Sequence, residues 1–205
     1  MAPVPNCIAM MTFPRRFLLL VLAGLALAAC ETPVAVQRLP EISFNHLPKI
    51  GLNVAEVRVV SDFKPSLTPP NIEHLMSTPP EAVVLRWGGE RLQAHGVSNS
   101  ARFTVVDAQV TEVPLKVDSG IKGAFTVEQN VRYEGTVAGM LEIFDDRGFR
   151  RTFASARVSR SKTAPEDSSI NERERVWFDL IDALMRDFDA EMEKNIGTHA
   201  GAFVM

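Results

Sequence analysis

The sequence predicts an α+β fold: a single two-layer domain of order β-α-β-β-β-α, with two helices on one face of an antiparallel-rich four-stranded sheet. Three observations predict it. Two segments open with helix-capping chemistry and repeat apolar residues at helical spacing. Four segments are rich in β-branched residues or alternate apolar with polar ones. Three of those four follow one another with no helix between them, which favours hairpins over crossovers. Of the 205 residues, 46% are hydrophobic and 23% charged, with a net charge of −3. That balance suits one globular domain and excludes collagenous, coiled-coil and wholly disordered classes.

The first strand is read from residues 52–60, Leu-Asn-Val-Ala-Glu-Val-Arg-Val-Val, where the alternation changes near Ala55-Glu56 and a bulge is expected. Residues 61–80 hold five prolines, so regular structure resumes only at Thr78-Pro79-Pro80-Glu81. Thr78 is placed to cap, Pro79 to fill the first helical position and Glu81 to complete a capping box. This helix is expected to run to about Ala94, with Gly96 as its stop. Val84, Leu85, Gly88 and Leu92 form its buried face, bordered by Trp87. Adjacent Gly88 and Gly89 each cost about 1 kcal/mol relative to alanine, so a close approach of helix to sheet is expected.

Strands follow at 101–113, 131–144 and 151–159. Asp145-Asp146-Arg147-Gly148 supplies turn chemistry between the last two, which should form an antiparallel hairpin. Residues 114–130, with Gly120 and Gly123, read as a longer, mobile hairpin loop. Ser169 and Glu172 make a second capping box before the longest helix, expected to reach about Asn195 and to end near Gly197. Trp177, Leu180, Ile181, Leu184, Phe188 and Met192 wind one apolar stripe along it, which reads as core. Pairs such as Val105 with Val106 and Ala156 with Phe153 place apolar residues on both sides of the strands, so the second face of the sheet is expected to be partly covered.

The amino-terminal segment has a different character. Residues 17–29 carry no charge, Arg15 and Arg16 stand just before them, and small residues precede Cys30. These are the three parts of a secretory signal. The run falls short of the about 20 apolar residues a membrane span needs. Met1, Met10 and Met11 are each a candidate start. The twin-arginine reading of Arg15-Arg16 is poor, because Phe17 follows the pair directly. Removing residues 1–29 takes away two arginines and leaves 20 basic against 25 acidic side chains, a net charge of −5. Cys30 is then the only cysteine left, so no internal disulfide is available and stability must come from a core.

Leu27-Ala28-Ala29-Cys30 resembles the bacterial lipobox, in which the cysteine is diacylated and the signal is cut on its amino side. The resemblance implies cleavage between Ala29 and Cys30 and lipidation of Cys30. Two acyl chains give stable anchoring at about 0.8 kcal/mol per buried methylene. Glu31 is not the aspartate that usually retains such proteins in the inner membrane, so the resemblance implies the periplasmic face of the outer membrane. The chain is thus divided into a signal (1–29), a lipidated extended tether (30–51), an α+β periplasmic domain (52–197) and a flexible tail (198–205). Pro33, Pro40 and Pro48 mark the tether as a spacer.

The search for chemistry past Cys30 finds no zinc pattern, phosphate loop, nucleophile elbow or dinucleotide fingerprint. His46, His74, His95 and His199 are scattered, with no pair at helical ligand spacing. Asp145 and Asp146 are read as turn residues, in preference to metal ligands or paired acids. Arg147, Arg150, Arg151, Arg157 and Arg160 are a local basic excess, read as solvated positions balanced by nearby acids, with anionic headgroups or an acidic partner as the sharper alternative. Nucleic acid is excluded by the negative charge and the absence of aromatics among the basic residues.

With its lipobox and element order, the chain is similar in layout to small outer-membrane lipoproteins that assist envelope transport and assembly machines. These include the auxiliary lipoproteins of lipid ABC transporters and the lipopolysaccharide-assembly lipoprotein. The resemblance implies a non-enzymatic accessory that docks on an envelope protein complex through a sheet edge or a partly apolar outer face, without catalytic residues, cofactor or metal. Two alternatives stand beside it: a carrier of a lipid or other apolar ligand, with Trp87, Trp177 and Phe188 near the cavity, and a hydrolase of envelope material.

Overall fold

The computed structural model describes residues 39–115, 130–165 and 167–205. Six strands and two helices appear in it: β1 (Ile50–Leu52), β2 (Glu56–Ser61), α1 (Pro80–Arg91), β3 (Leu92–Ala94), β4 (Ser100–Pro114), β5 (Val131–Phe144), β6 (Arg150–Ala164) and α2 (Ile170–His199). The main sheet has the order β2-β4-β5-β6, with β2 parallel to β4 and the other pairs antiparallel. A second, two-stranded parallel sheet joins β1 to β3. This is the α+β layout that the sequence predicts, enlarged by the small sheet.

Both helices pack on one face of the main sheet. The seal between the layers is aromatic: Trp87 of α1 lies 5.1 Å from Phe103 of β4 and 5.2 Å from Phe188 of α2, ring centre to ring centre. All three rings are buried. The expected close approach is at Gly88, where a Cβ would stand 2.7 Å from the Phe103 ring and 3.0 Å from Val59. Gly139 of β5 does the same from the sheet side, meeting Phe103 and Phe188. Gly89 faces open space.

The α2 stripe is core as expected, from Trp177 through Met192 to Ile196. Its start is the expected capping box: the Glu172 N–H donates to Ser169 Oγ, and the Ser169 N–H donates to the Glu172 carboxylate at 2.8 Å. Its 30 residues span about 45 Å at 1.5 Å per residue, close to the length of β5 and β6.

Four expectations are corrected. Residues 52–60 are not one bulged strand. Leu52 ends β1 in the small sheet and Glu56 begins β2 in the main one, so the change of alternation marks a change of sheet. The α1 capping box does not form: Pro79 is the N-cap and Pro80 the first helical residue, which leaves Thr78 one position too early to cap. Helix α1 stops at Arg91 because Leu92–Ala94 turns extended to pair with Ile50–Leu52. The ends of the domain are also tied down. Ile42, Phe44 and Ile50 belong to the core, so the tether segment is packed from residue 42 onward. Past α2, buried Ala200 leads into a short 3-10 turn, and Val204 bridges Leu52 while the Met205 N–H donates to the Gly51 carbonyl. The segment expected to be a flexible tail is hydrogen-bonded to β1.

Candidate functional site

The face of the sheet opposite the helices has no covering element among the described residues. Alternation puts Arg58 and Val60 of β2, Arg102 and Thr104 of β4, Ala138, Met140 and Glu142 of β5, and Phe153, Ser155 and Arg157 of β6 on it. Val60, Val106 and Phe153 are 38%, 45% and 48% exposed, whereas Thr104, Ala138 and Glu142 are buried between taller neighbours. Among the described residues, the second face is therefore covered only by its own side chains. Val106 projects at the β-bulge where the β4–β5 register shifts.

Glu142 is the centre of this face. It sits on an inner strand between two arginines brought from β4 and β6: Arg102 donates to Oε2 and Arg150 to Oε1, each at 2.9 Å. Each guanidinium also stacks on an aromatic ring, Arg102 over Phe144 at 5.0 Å and Arg150 over Phe153 at 5.1 Å. Burial pushes the Glu142 carboxyl up, but the hydrogen bonds and charges of Arg150 and Arg102 outweigh it and hold the group below the usual glutamate range. The result is a row, Phe144-Arg102-Glu142-Arg150-Phe153, that fixes two guanidinium planes and two rings across three strands.

The basic run resolves into partners. Besides Arg150 with Glu142, Arg157 meets Asp107 at 2.7 Å, Arg160 forks onto Asp187 and Arg151 stands 3.9 Å from Asp145. Arg147 is exposed at the turn. This is the balanced reading of the basic excess. Asp145 and Asp146 are turn residues as expected: Asp145 Oδ1 accepts the N–H groups of Arg147 and Phe149, each at 3.0 Å, and Asp146 accepts the Asn99 N–H. Those backbone donors, that of Phe149 first, hold the Asp145 carboxyl low. Gly148 closes the turn at φ +83°.

His46, His74, His95 and His199 lie on four separate parts of the chain, and among the described residues no three metal-ligating side chains come together. The three rings expected near a carrier cavity are packing partners instead: Trp87 and Phe188 fill the layer interior, and Trp177 packs edge-on against Tyr133 at 5.7 Å. Ala29 and Cys30 lie outside the described residues, as do the first part of the tether and the 116–129 portion of the long hairpin loop. No described helix is long and apolar enough to cross a membrane.

Sequence reading missed two arrangements. The Glu142 row combines residues whose only local sign is an acid in the otherwise apolar stretch from Val137 to Phe144 of β5. The other is Arg91, 1% exposed, whose Nε donates to Asp189 at 2.7 Å and whose Nη2 donates to Glu193. Trp87 Nε1 donates to the same Asp189 oxygen at 2.7 Å, so one carboxylate ties α1 to α2.

No protein-family model matches the chain, and no curated protein matches it in sequence. Among solved structures, a minor lipoprotein from Acinetobacter baumannii is similar at a TM-score of 0.37 and 13% identity, over 70% of this chain and 94% of its own. The rare lipoprotein B from Shewanella oneidensis is similar at a TM-score of 0.39 and 8% identity, over 70% of this chain and 95% of its own. A Xanthomonas campestris protein of the DUF330 family is similar at 0.30 and 7% identity, over 73% of this chain and 87% of its own.

Proposed function

We propose that this chain is a periplasmic lipoprotein, cut between Ala29 and Cys30 and diacylated at Cys30. In this reading it is held at the periplasmic face of the outer membrane and acts as a non-enzymatic docking component of an envelope assembly or lipid-transport complex. The observation that carries the docking role is the open sheet face. Half-exposed Val60, Val106 and Phe153 flank guanidinium groups already fixed by Glu142 and by ring stacking. Interface cores favour this combination of arginine and aromatic side chains. Fixing them beforehand also lowers the ordering cost of association.

The anchor is tested by Cys30→Ala, which should move the exported protein from the membrane fraction to the soluble periplasmic fraction. Unchanged membrane partition would overturn the lipid anchor. The docking face is tested in intact cells by a photocrosslinking amino acid at Val106 or Phe153, with exposed Arg175 on α2 as the control site. The same discrete adduct should form from Val106 and Phe153 and be absent from Arg175. No adduct, or one pattern from all three sites, would overturn the docking reading.

A further inference from the structure

Among the described residues no element covers the sheet face that holds Glu142, and its side chains fall into rows across the strands. The register gives Glu56-Ser100-Phe144-Arg150, Arg58-Arg102-Glu142-Phe153 and Val60-Thr104-Met140-Ser155 from β2 to β6, then Asp107-Ala138-Arg157 from β4 to β6. Alternation keeps all of them on one side of the sheet. Every arginine on this face has a carboxylate beside it: Arg58 with Glu56, Arg102 and Arg150 with Glu142, Arg157 with Asp107, Arg132 with Glu134. Five positive groups thus meet four negative ones. Net charge selects neither an acidic partner, nor a basic one, nor an anionic lipid surface.

The face is selective through the order of its charges. An axis parallel to the strands, on the midline between β4 and β5, turns the face onto itself with rows kept and strands exchanged. β2 then lies over β6 and β4 over β5. Glu56 comes to stand over Arg150 of the second copy, Arg58 over its Phe153 ring and Arg102 over its Glu142, while Val60 meets Ser155 and Thr104 meets Met140. Asp107 lies over Ala138 of the second copy, next to Arg157 in the same row. No like charges are set directly opposite, which is the self-complementarity a two-fold interface requires. Arg150 and Arg157 keep half of their surface exposed beside their own carboxylates, so both have donors to spare.

The dimensions agree. Aligned sheets pack about 10 Å apart and within about 30° of one another, offsets that arginine side chains span. Four strands run beside β2 and three continue past it. At about 4.8 Å between strands and about 3.3 Å per residue the face measures about 800 Å², one side of a standard stable interface. Half-exposed Val60, Val106 and Phe153 supply its apolar part. A two-fold along the strands also leaves residue 39 of both copies at one height along the axis, so two anchors can enter the same bilayer.

We infer that the open sheet face binds a second copy of this chain, related by a two-fold axis along the strands, as an aligned β-sandwich. This rests on the docking reading and deepens it by naming what the face docks on: the envelope complex receives the chain as a pair.

Two copies with different tags are expressed together, one of them carrying the photocrosslinking amino acid at Val106, near the axis. The adduct should carry both tags. An adduct without the second tag sinks the second copy and leaves the docking reading standing, whereas no adduct sinks the docking reading and the inference with it. The charge order is tested by sedimentation of the exported chain bearing Cys30→Ala, which should run at twice the single-chain mass. Glu56→Arg sets an arginine over Arg150, and Arg150→Glu sets a glutamate over Glu56, so each variant alone should pair about tenfold more weakly. Mixed, the two restore both opposite-charge contacts and should pair with each other as the parent chain does. Should Arg150→Glu fail to fold, Val106→Glu brings two carboxylates together near the axis and should weaken pairing about tenfold at unchanged Tm. A monomeric parent chain, a mixture that pairs no better than its components, or full pairing by folded Val106→Glu overturns the inference.

Discussion

Two adjacent glycines in α1 have opposite surroundings. A Cβ at Gly88 would collide with Phe103 at 2.7 Å, whereas one at Gly89 meets nothing within 4 Å. Gly88→Ala should therefore destabilise the domain by about 1–3 kcal/mol through overpacking. Gly89→Ala should stabilise it by about 0.5–1 kcal/mol by restricting the unfolded chain. Urea unfolding of the two variants, with unchanged slope, checks the opposite signs. Glu142 supplies the second prediction at this scale. Its two charge-assisted hydrogen bonds make Glu142→Gln destabilising by about 1–2 kcal/mol at pH 7. Because the folded carboxyl titrates below its unfolded value, that contribution is present above about pH 4.3 and is lost as pH falls through the folded value. The gap in urea midpoint between wild type and variant should narrow between pH 5 and pH 3. A gap of constant size would show that the arginines do not stabilise the ionised form.

At the scale of elements, the two helices start by different means, although both are preceded by a hydroxyl and a glutamate at capping-box spacing. Ser169 accepts from Glu172, so Ser169→Ala should cost about 1 kcal/mol. Thr78 makes no cap because Pro79 and Pro80 shift the helix start by one residue, and Thr78→Ala should change the thermal midpoint by less than a degree. Thermal melts of the two variants side by side test this. The long α2 was legible because one apolar stripe repeats over its whole length. Strands β4, β5 and β6 were legible from alternation and from the Asp145–Gly148 turn. The pairs β1 and β3 were not, since three-residue strands carry too few alternations to be seen.

At the scale of the whole molecule, Asp189 joins the two helices by accepting from Trp87 and from buried Arg91. Asp189→Ala leaves a buried guanidinium short of its partner and should lower stability by about 3 kcal/mol. Asp187→Ala, which frees the half-exposed Arg160 on the same helix, should cost 1 kcal/mol or less. Equal losses in the two variants, read by chemical denaturation, would show that burial of Arg91 does not set the difference. The same contrast separates the two arginine systems of the fold. Arg91 is enclosed between helices, whereas Arg102 and Arg150 are half exposed and hold Glu142 at an open face.

The sequence by itself determined what repeats locally: the α2 stripe, its capping box, the β5–β6 turn, the four main strands and the two-layer class they imply. Each of these depends on residues within a few positions of one another, so periodicity and turn chemistry suffice to read it. Only the tertiary structure decided that residues 53–55 carry the chain from one sheet to another, that residues 200–205 return to β1, and that Arg91 meets Asp189 98 positions away. It also decided that, among the described residues, no element covers the face holding Glu142, with Arg102 supplied from 40 residues upstream. These outcomes follow from which segments meet on collapse, and a partner brought from a distant segment leaves no periodic trace in the sequence around it.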